Sequence, residues 1–429
     1  MNSHTTSLAS APEQAPFRPY RPRFIAMLNG VGQGFGFLGV RASLDAESLI
    51  AAARRKTGLQ DFGDESFRSG LEVLTRSLDR EAHLHPVGRL IMRHRLIGLL
   101  AVRLKAQQLF SRHPEIRQQR IDAPLVIAGL QRTGTTMLHR LLASDPRMRA
   151  MRSYEAMNPI GEAFPAGSID PRLKSTRLAE KALRYMAPEF FAIHPVDADA
   201  PEEEILLLDY AFLSDVAESL ADVPSYATWL EKQDVTPAYE YMKSLLQLMQ
   251  WQQAQSSVRR WALKTPAHLG HLDVLLKVFP DARIIQTHRD PARTAASYSS
   301  MIAHGHGVFS DQVDAFAVAM HWHRKNVGMV EAAMRVRAQH PEAFIDVSYY
   351  DVIKEPMAQI RRIYEFAGIE LTPAAIAAMD ATRASNPQNK HGVHSYRLED
   401  FGLSKAIIRR DYGPYSQFFG IPEEGSKKA

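Results

Sequence analysis

The chain contains no cysteine. That absence excludes a disulfide framework, an iron–sulfur cluster, a cysteine nucleophile and every thiolate zinc site, and it fits a reducing compartment. Long apolar runs are missing too. A bilayer span needs about 20 apolar residues, and the nearest stretch, Phe24 to Val40, is shorter. It is interrupted by Asn29, Gln33 and the glycines Gly30, Gly32, Gly34, Gly36 and Gly39, which weaken a helix. It is expected to be buried or to face a partner. Met1 to Pro22 lacks the apolar core of a secretory signal and reads as a disordered tail. Neither sign of charge dominates: 52 Lys+Arg against 47 Asp+Glu leave +5 over 429 residues. So thin a surplus does not support nucleic-acid binding, which needs a basic stripe. Spacings that make a metal site, such as H-E-x-x-H, do not occur. A soluble, cytoplasmic protein without metal, nucleic acid or transmembrane span is expected.

Ordinary globular composition, 45% hydrophobic and 23% charged, supports a folded chain. Residues 23–120 read as an N-terminal helical region. Ser43 ahead of Glu47 marks a capped start, and Leu71, Leu74, Leu78 and then Ile91, Leu96, Leu99, Leu100, Leu104 recur at helical spacing. The character changes at Pro124. Leu125 to Leu130, Trp261 to Leu263, Ala282 to Thr287 and Ala343 to Ser348 are short apolar runs, each followed by a helical pattern. This alternation predicts an α/β domain over 121–429, a parallel sheet with crossover helices. A helical insertion falls at about 160–258.

The most informative segment follows the first of these strands: Gly129-Leu-Gln-Arg132-Thr133-Gly134-Thr135-Thr136, then an apolar helix. A strand, a glycine turn and a helix start direct backbone N–H groups and a helix dipole at one anion. The frame is that of a P-loop, but Thr135 stands where the lysine belongs, and the cation is Arg132 inside the loop. Kinases and NTPases depend on that lysine and a metal, so their chemistry is disfavoured.

Arg132-Thr-Gly-Thr-Thr136 resembles the 5′-phosphosulfate loop of the PAPS-dependent sulfotransferases, in a bacterial-type branch with an N-terminal helical region. Arg289-Asp-Pro-Ala-Arg-Thr-Ala-Ala-Ser297 resembles that family's 3′-phosphate motif. Asp290 and Pro291 start a helix that puts Ser297 about two turns beyond Arg289. Ala262-Leu-Lys264-Thr-Pro266 and Tyr349-Tyr-Asp351 resemble further family segments. The resemblance implies a P-loop-like fold, PAPS as co-substrate with PAP as product, and sulfuryl transfer to a hydroxyl or amine of a small acceptor. It implies that Arg132, Thr133, Gly134, Thr135 and Thr136 hold the 5′ end, and that Arg289, Ser297 and Tyr349, with Lys390 and His391 on a C-terminal loop, hold the nucleotide. Lys264 becomes the second cation on the reacting group.

A base must accept the acceptor's proton. One branch of the family places a histidine where this chain has Pro266, so Glu155, which matches the glutamate of another branch, and His194 are the candidates. The run Glu202–Glu204 after Pro201 reads as acids at a helix start. The histidine pairs His304/His306, His321/His323 and His391/His394 lack the partners of a metal site, and His321 and His323 read as polar-face residues of their helix. The helix after 312 is expected to bury Val313, Phe316, Met320, Val327 and Met334. Leu206, Leu207, Phe212, Tyr226, Trp229 and Met249 either line an apolar or aromatic acceptor pocket or fill the core. Two alternatives stand beside the sulfotransferase reading: a P-loop nucleotide kinase or phosphotransferase, and a non-catalytic PAPS- or PAP-binding protein.

Overall fold

The computed structural model describes residues 17–161, 169–194, 196–253, 260–385 and 397–424. Four helices come first: α1 (Arg23–Phe37), α2 (Ala46–Thr57), α3 (Phe67–Arg80) and the long α4 (Pro86–Arg112). The start of α2 is capped by Asp45, whose carboxylate accepts from Ser48 N at 2.9 Å, rather than by Ser43, whose hydroxyl accepts from the Asp45 N–H. Leu71, Leu74 and Leu78 on α3 and Leu96, Leu100 and Leu104 on α4 are all buried.

Five parallel strands follow, β1 (Leu125–Gly129), β2 (Met148–Arg149), β3 (Arg260–Lys264), β4 (Arg283–His288) and β5 (Phe344–Ser348), in the order β2-β3-β1-β4-β5. The α/β, P-loop-like architecture read from the alternating pattern is therefore the one observed. Sequence alone did not give β2, because two residues are too few for any periodicity. Helix α5 (Thr135–Ser144) links β1 to β2. Between β2 and β3 come α6 (Ser153–Met157), α7 (Pro171–Met186), α8 (Pro188–Ile193), α9 (Ile205–Leu208), α10 (Val216–Leu220), α11 (Pro224–Leu230) and α12 (Thr236–Gln252). After β3 come α13 (Leu272–Val278), then α14 (Pro291–Phe309) and α15 (Ala315–Gln339) beyond β4. Past β5 lie α16 (Tyr349–Lys354), α17 (Pro356–Phe366), α18 (Pro373–Ser385) and α19 (Lys405–Phe418).

Every residue of β1 is buried because both sheet faces are covered. Val126 and Ala128 look toward a core that also takes in Leu71, Leu100 and Leu245, so the N-terminal helices and the sheet share one apolar interior across residue 120. Leu125 and Ile127 look the other way, toward Leu138, Val347 and Ile363. Leu207, Phe212, Tyr226 and Met249 belong to the first core, and Leu206 and Trp229 pack on it. These six are core, and they supply no argument for an aromatic acceptor. On α15 the buried positions are Val318, Ala319, Trp322, His323, Asn326, Met329, Val330, Ala333 and Val336; of the expected stripe Val327 and Met334 pack partly buried against the core, whereas Phe316 and Met320 are exposed. The stripe read from apolar spacing is thus rotated. Hydrogen bonds such as that between His323 and Asp411 at 2.7 Å let polar residues face inward.

The chain leaves β1 at the centre, reaches the edge at β2, returns for β3, then crosses to the far side for β4 and β5. Strand order reverses around β1. In such sheets ligands bind in the crevice beyond the carboxyl ends at the reversal.

Candidate active site

At that crevice the β1–α5 loop is drawn tightly onto β4. Gly129 lies beside Thr287 in register, and a Cβ on Gly129 would come within 1.9 Å of Thr287 Oγ1 and 2.8 Å of its carbonyl. Only glycine allows that approach. Arg132 (φ 67°) and Gly134 (φ 88°) are both left-handed. For arginine this conformation is uncommon, and such alternation forms anion-binding nests. The Thr133 hydroxyl donates to Leu130 O at 2.6 Å and also contacts Thr287 Oγ1, so it braces the loop and leaves only its backbone for a ligand. Thr135 opens α5, while Thr136 and the Arg132 side chain are exposed above it.

Lys264 ends β3 beside Ile127 and is buried. Its backbone N–H donates to Glu204 at 2.8 Å, and its ammonium pairs with Glu203, which also accepts from Thr265 Oγ1 at 3.2 Å. Glu204 meets His268 Nε2 at 2.6 Å, and His268 Nδ1 meets the Tyr239 hydroxyl at 2.8 Å, a closed buried network. Pro201 bridges Arg152 in an extended segment, and α9 starts only at Ile205. The expectation that Glu202–Glu204 serve a helix dipole is therefore corrected: the run is pulled onto the end of β3 by Lys264 and His268. Burial, followed by the neighbouring Glu203 charge, pushes the Glu202 carboxyl above its ordinary value. His194, at the end of α8, is depressed below the ordinary histidine value. Burial is the main cause; Lys264 and Arg132 lower it further, and Glu203 opposes them. His194 therefore lies within electrostatic reach of all three.

The second basic position lies past β4. Arg289 Nη1 donates to Arg132 O at 3.0 Å, its guanidinium stacks 3.9 Å from the Tyr349 ring centre, and Tyr349 also borders Gly134. Asp290 caps α14 by accepting from Ala292 N at 2.9 Å, with Pro291 in the first turn. Ser297, two turns on, is fully buried, and its hydroxyl has no hydrogen-bond partner. A buried unpaired hydroxyl is rare unless a ligand completes it. The Arg289 fork holds an anion: Glu424 accepts from its Nε at 2.7 Å and its Nη2 at 3.2 Å, and lies 3.3 Å from Arg293. Nothing in the sequence spacing marked Glu424 as part of this site.

Two anion positions thus flank the β1 loop, with a buried lysine and a partly buried carboxylate beside it. Residues 124–373, more than half of the chain, match the family model described as the sulfotransferase family. The chain belongs to the sulfotransferase family. It is a PAPS-dependent sulfotransferase, and the phosphotransferase alternative falls with that assignment. It is similar to the omega-hydroxy-beta-dihydromenaquinone-9 sulfotransferase Stf3 of Mycobacterium bovis, 26% identical over 313 residues that cover 70% of this chain and 75% of that protein. Among solved structures it resembles sulfotransferase STF9 from Mycobacterium avium, with a TM-score of 0.80, 29% identity, and 89% and 98% of the two chains covered. STF1 from Mycobacterium tuberculosis H37Rv aligns with a TM-score of 0.75 at 32% identity over 86% of this chain and 98% of that one.

Glu155 is buried on α6, with one oxygen on Arg149 Nη2 at 3.0 Å and the other on Arg152 N at 2.9 Å. Arg149 in turn lies over the Trp261 ring. Both oxygens of Glu155 are therefore committed to the edge of the sheet. Lys390, His391 and His394 lie outside the described residues. His304 contacts Ser300 O and His321 pairs with Glu218 at 2.8 Å, while His306 meets Glu218 O at 2.8 Å. No group of residues that could hold a metal occurs among the described residues. No helix among them is long and apolar enough to cross a membrane.

Proposed function

We propose that this sulfotransferase moves the sulfuryl group of PAPS to the hydroxyl of a small apolar acceptor, without a metal ion, and that Glu203 is the general base. PAPS supplies an activated sulfuryl group whose bond to the bridging phosphosulfate oxygen breaks as the new oxygen–sulfur bond forms, with PAP leaving. The residues fit it. The left-handed loop at Arg132 and Gly134, with the amides of Thr133, Thr135 and Thr136, suits the 5′-phosphate. Arg289, Ser297 and Tyr349 suit the 3′-phosphate, since Ser297 has an unfilled hydroxyl and Arg289 already binds a carboxylate. Arg132 remains charged at any working pH. With Lys264 it stabilises the charge that grows on the bridging and sulfuryl oxygens.

One observation carries the choice of base: the contact of Glu203 with Lys264 at the loop crevice. Of the two carboxylates there, Glu204 is sealed against His268 at 1% exposure, whereas Glu203 keeps 22%. Glu203 can take a proton from an acceptor hydroxyl while Lys264 holds it in place. His194, whose imidazole burial holds below its ordinary value, feels the charge of Glu203. The named activity of the Mycobacterium bovis relative, on a hydroxylated menaquinone, supports a hydroxyl on an apolar molecule. The test is radiolabelled PAPS with a panel of apolar alcohols, run on Glu203→Gln, His194→Gln and Glu155→Gln. Turnover collapsing only in the first, with PAP still bound, supports the assignment. Turnover surviving in Glu203→Gln overturns it.

A further inference from the structure

Helix α1 is inside out. The side it turns to the protein carries Ile25, Asn29 and Gly32. Asn29 Oδ1 accepts from Val87 N at 3.0 Å, and a Cβ on Gly32 would come within 2.5 Å of Pro86 Cβ, so the helix is seated closely on the start of α4. The opposite side carries Phe24, Met27, Leu28, Val31 and Phe35 at helical spacing, all exposed. The strip continues through Phe37 at the last position of the helix, 93% exposed, and Leu38 just beyond it, 77% exposed. Surface helices place these residue types inward, and contiguous apolar patches rimmed by polar groups mark interaction sites. The glycines explain the orientation. Gly32 fits the close contact with α4, and Gly30, Gly34 and Gly36 meet nothing, leaving the aromatic and aliphatic side chains to dominate the outer face.

The charges within the segment that carries the strip are one-signed. Between Glu13 and Asp45 the chain has four arginines, Arg18, Arg21, Arg23 and Arg41, and no acid. Arg21 is tied to Asp311 and to Gly307 O; Arg18, Arg23 and Arg41 are exposed, the last of them 4.0 Å from Asp79. Arg23 stands at one end of the strip and Arg41 just past the other. We propose that α1 lies in the interface of an anionic lipid bilayer, its apolar strip inserted among the acyl chains and the arginines on the headgroups. An in-plane amphipathic helix with a cationic rim has this form. At 15 residues, roughly 22 Å long, α1 is too short to span. A second copy of the chain is the poorer occupant, since a two-fold pairing of these strips brings arginine rims together. The segment before α1 sets the orientation. Phe17 and Pro19 pack on His304 and Gly307 of α14, and Phe190 of α8 lies against Gly305. A docked α1 therefore holds α8, which ends at His194, near the lipid surface. The proposal does not depend on the identity of the base or the acceptor.

The test is co-sedimentation of the full chain with phosphatidylcholine vesicles, with and without phosphatidylglycerol, alongside light scattering in solution and PAP calorimetry on the same samples. The wild type is expected to sediment with the anionic vesicles. Phe24→Ser/Val31→Ser/Phe35→Ser should lose at least on the order of tenfold in partitioning. Arg18→Gln/Arg23→Gln/Arg41→Gln should lose roughly fivefold per arginine, and only on anionic vesicles. These side chains are exposed, so both variants are expected to keep the wild-type thermal midpoint and PAP affinity. Wild-type protein that stays in the supernatant overturns the proposal. So does a dimer that the serine variant dissociates, which would make the strip a contact between copies.

Discussion

If Arg289 holds the 3′-phosphate as proposed, Glu424 occupies the position that phosphate needs, and removing its charge should tighten nucleotide binding. Its carboxylate accepts from Arg289 twice, sits near Arg293 and accepts from the Tyr350 hydroxyl at 3.2 Å, while its N–H donates to Asp290 at 2.7 Å. Burial alone would raise this carboxyl, but the hydrogen bonds and charge of Arg289 outweigh it and hold the group below the ordinary glutamate value. Arg289 and Glu424 are each about a fifth exposed, 19% and 20%, so solvent screens part of the attraction. About 1–2 kcal/mol is a fair worth for such a charge-assisted pair. The nucleotide must displace that contact. Glu424→Gln should therefore strengthen PAP binding by roughly 5- to 30-fold in calorimetry, while Arg289→Ala weakens it in either background. A depressed carboxyl keeps its contact at every pH above its own pKa and loses it only as pH falls through that value. The difference between variant and wild type should thus stay constant across the neutral range. Equal or weaker PAP binding by Glu424→Gln would refute the idea that tail carboxylate and phosphate share Arg289.

Ser297→Ala removes a buried hydroxyl that pairs with nothing in the protein, so thermal stability should hold or rise slightly. PAP affinity should fall about tenfold or more, the worth of one hydrogen bond to a charged group. Glu203→Gln should lower kcat by on the order of 10²–10⁴-fold with PAP affinity unchanged. Glu155→Gln should instead destabilise the fold by about 3–5 kcal/mol, read by denaturant unfolding, because it breaks a buried pair with Arg149. His139 and His306 are held down to about 4, burial being the main cause in each. Below pH 6.5 the unfolded chain binds protons at these sites that the folded chain refuses, so stability should fall from pH 6.5 toward 4 by roughly 3 kcal/mol for each. His306→Gln, which keeps a donor toward Glu218 O, should flatten that slope in urea titrations at several pH values.

What could be read from the sequence was whatever rests on local pattern. The buried run Leu125–Gly129, the glycine turn and the helix after it form a single local unit, so the loop and its arginine were legible from eight residues. Arg289 and Ser297 share one helix start and were legible for the same reason. The base was not. Glu155 matches its motif, yet its two oxygens are drawn to Arg149 and Arg152, a pairing that depends on where β2 meets β3. Glu203 sits in a run that local rules assign to a helix start, and only the bridge between Pro201 and Arg152 turns it toward Lys264, 61 residues away. Glu424 lies 135 residues beyond Arg289 and reaches it only because α19 brings the tail back across β4. Helix α1 was expected to be buried or to face a partner, and only packing separates the two: the narrow contact at Gly32 and Pro86 leaves room for one face, and the apolar face is the one left outside.

The β1 loop with Arg132, Lys264 and Arg289 is proposed to bind PAPS and pass its sulfuryl group to a hydroxyl. Transfer of label from radiolabelled PAPS to an apolar alcohol, with PAP calorimetry on the same protein, puts this to the test. Label on the alcohol and a measurable PAP isotherm are expected in the wild type, with transfer lowered by at least on the order of a hundredfold in Arg132→Ala. A wild-type protein that gives no PAP isotherm, or an Arg132→Ala protein that transfers label at the wild-type rate, would contradict it.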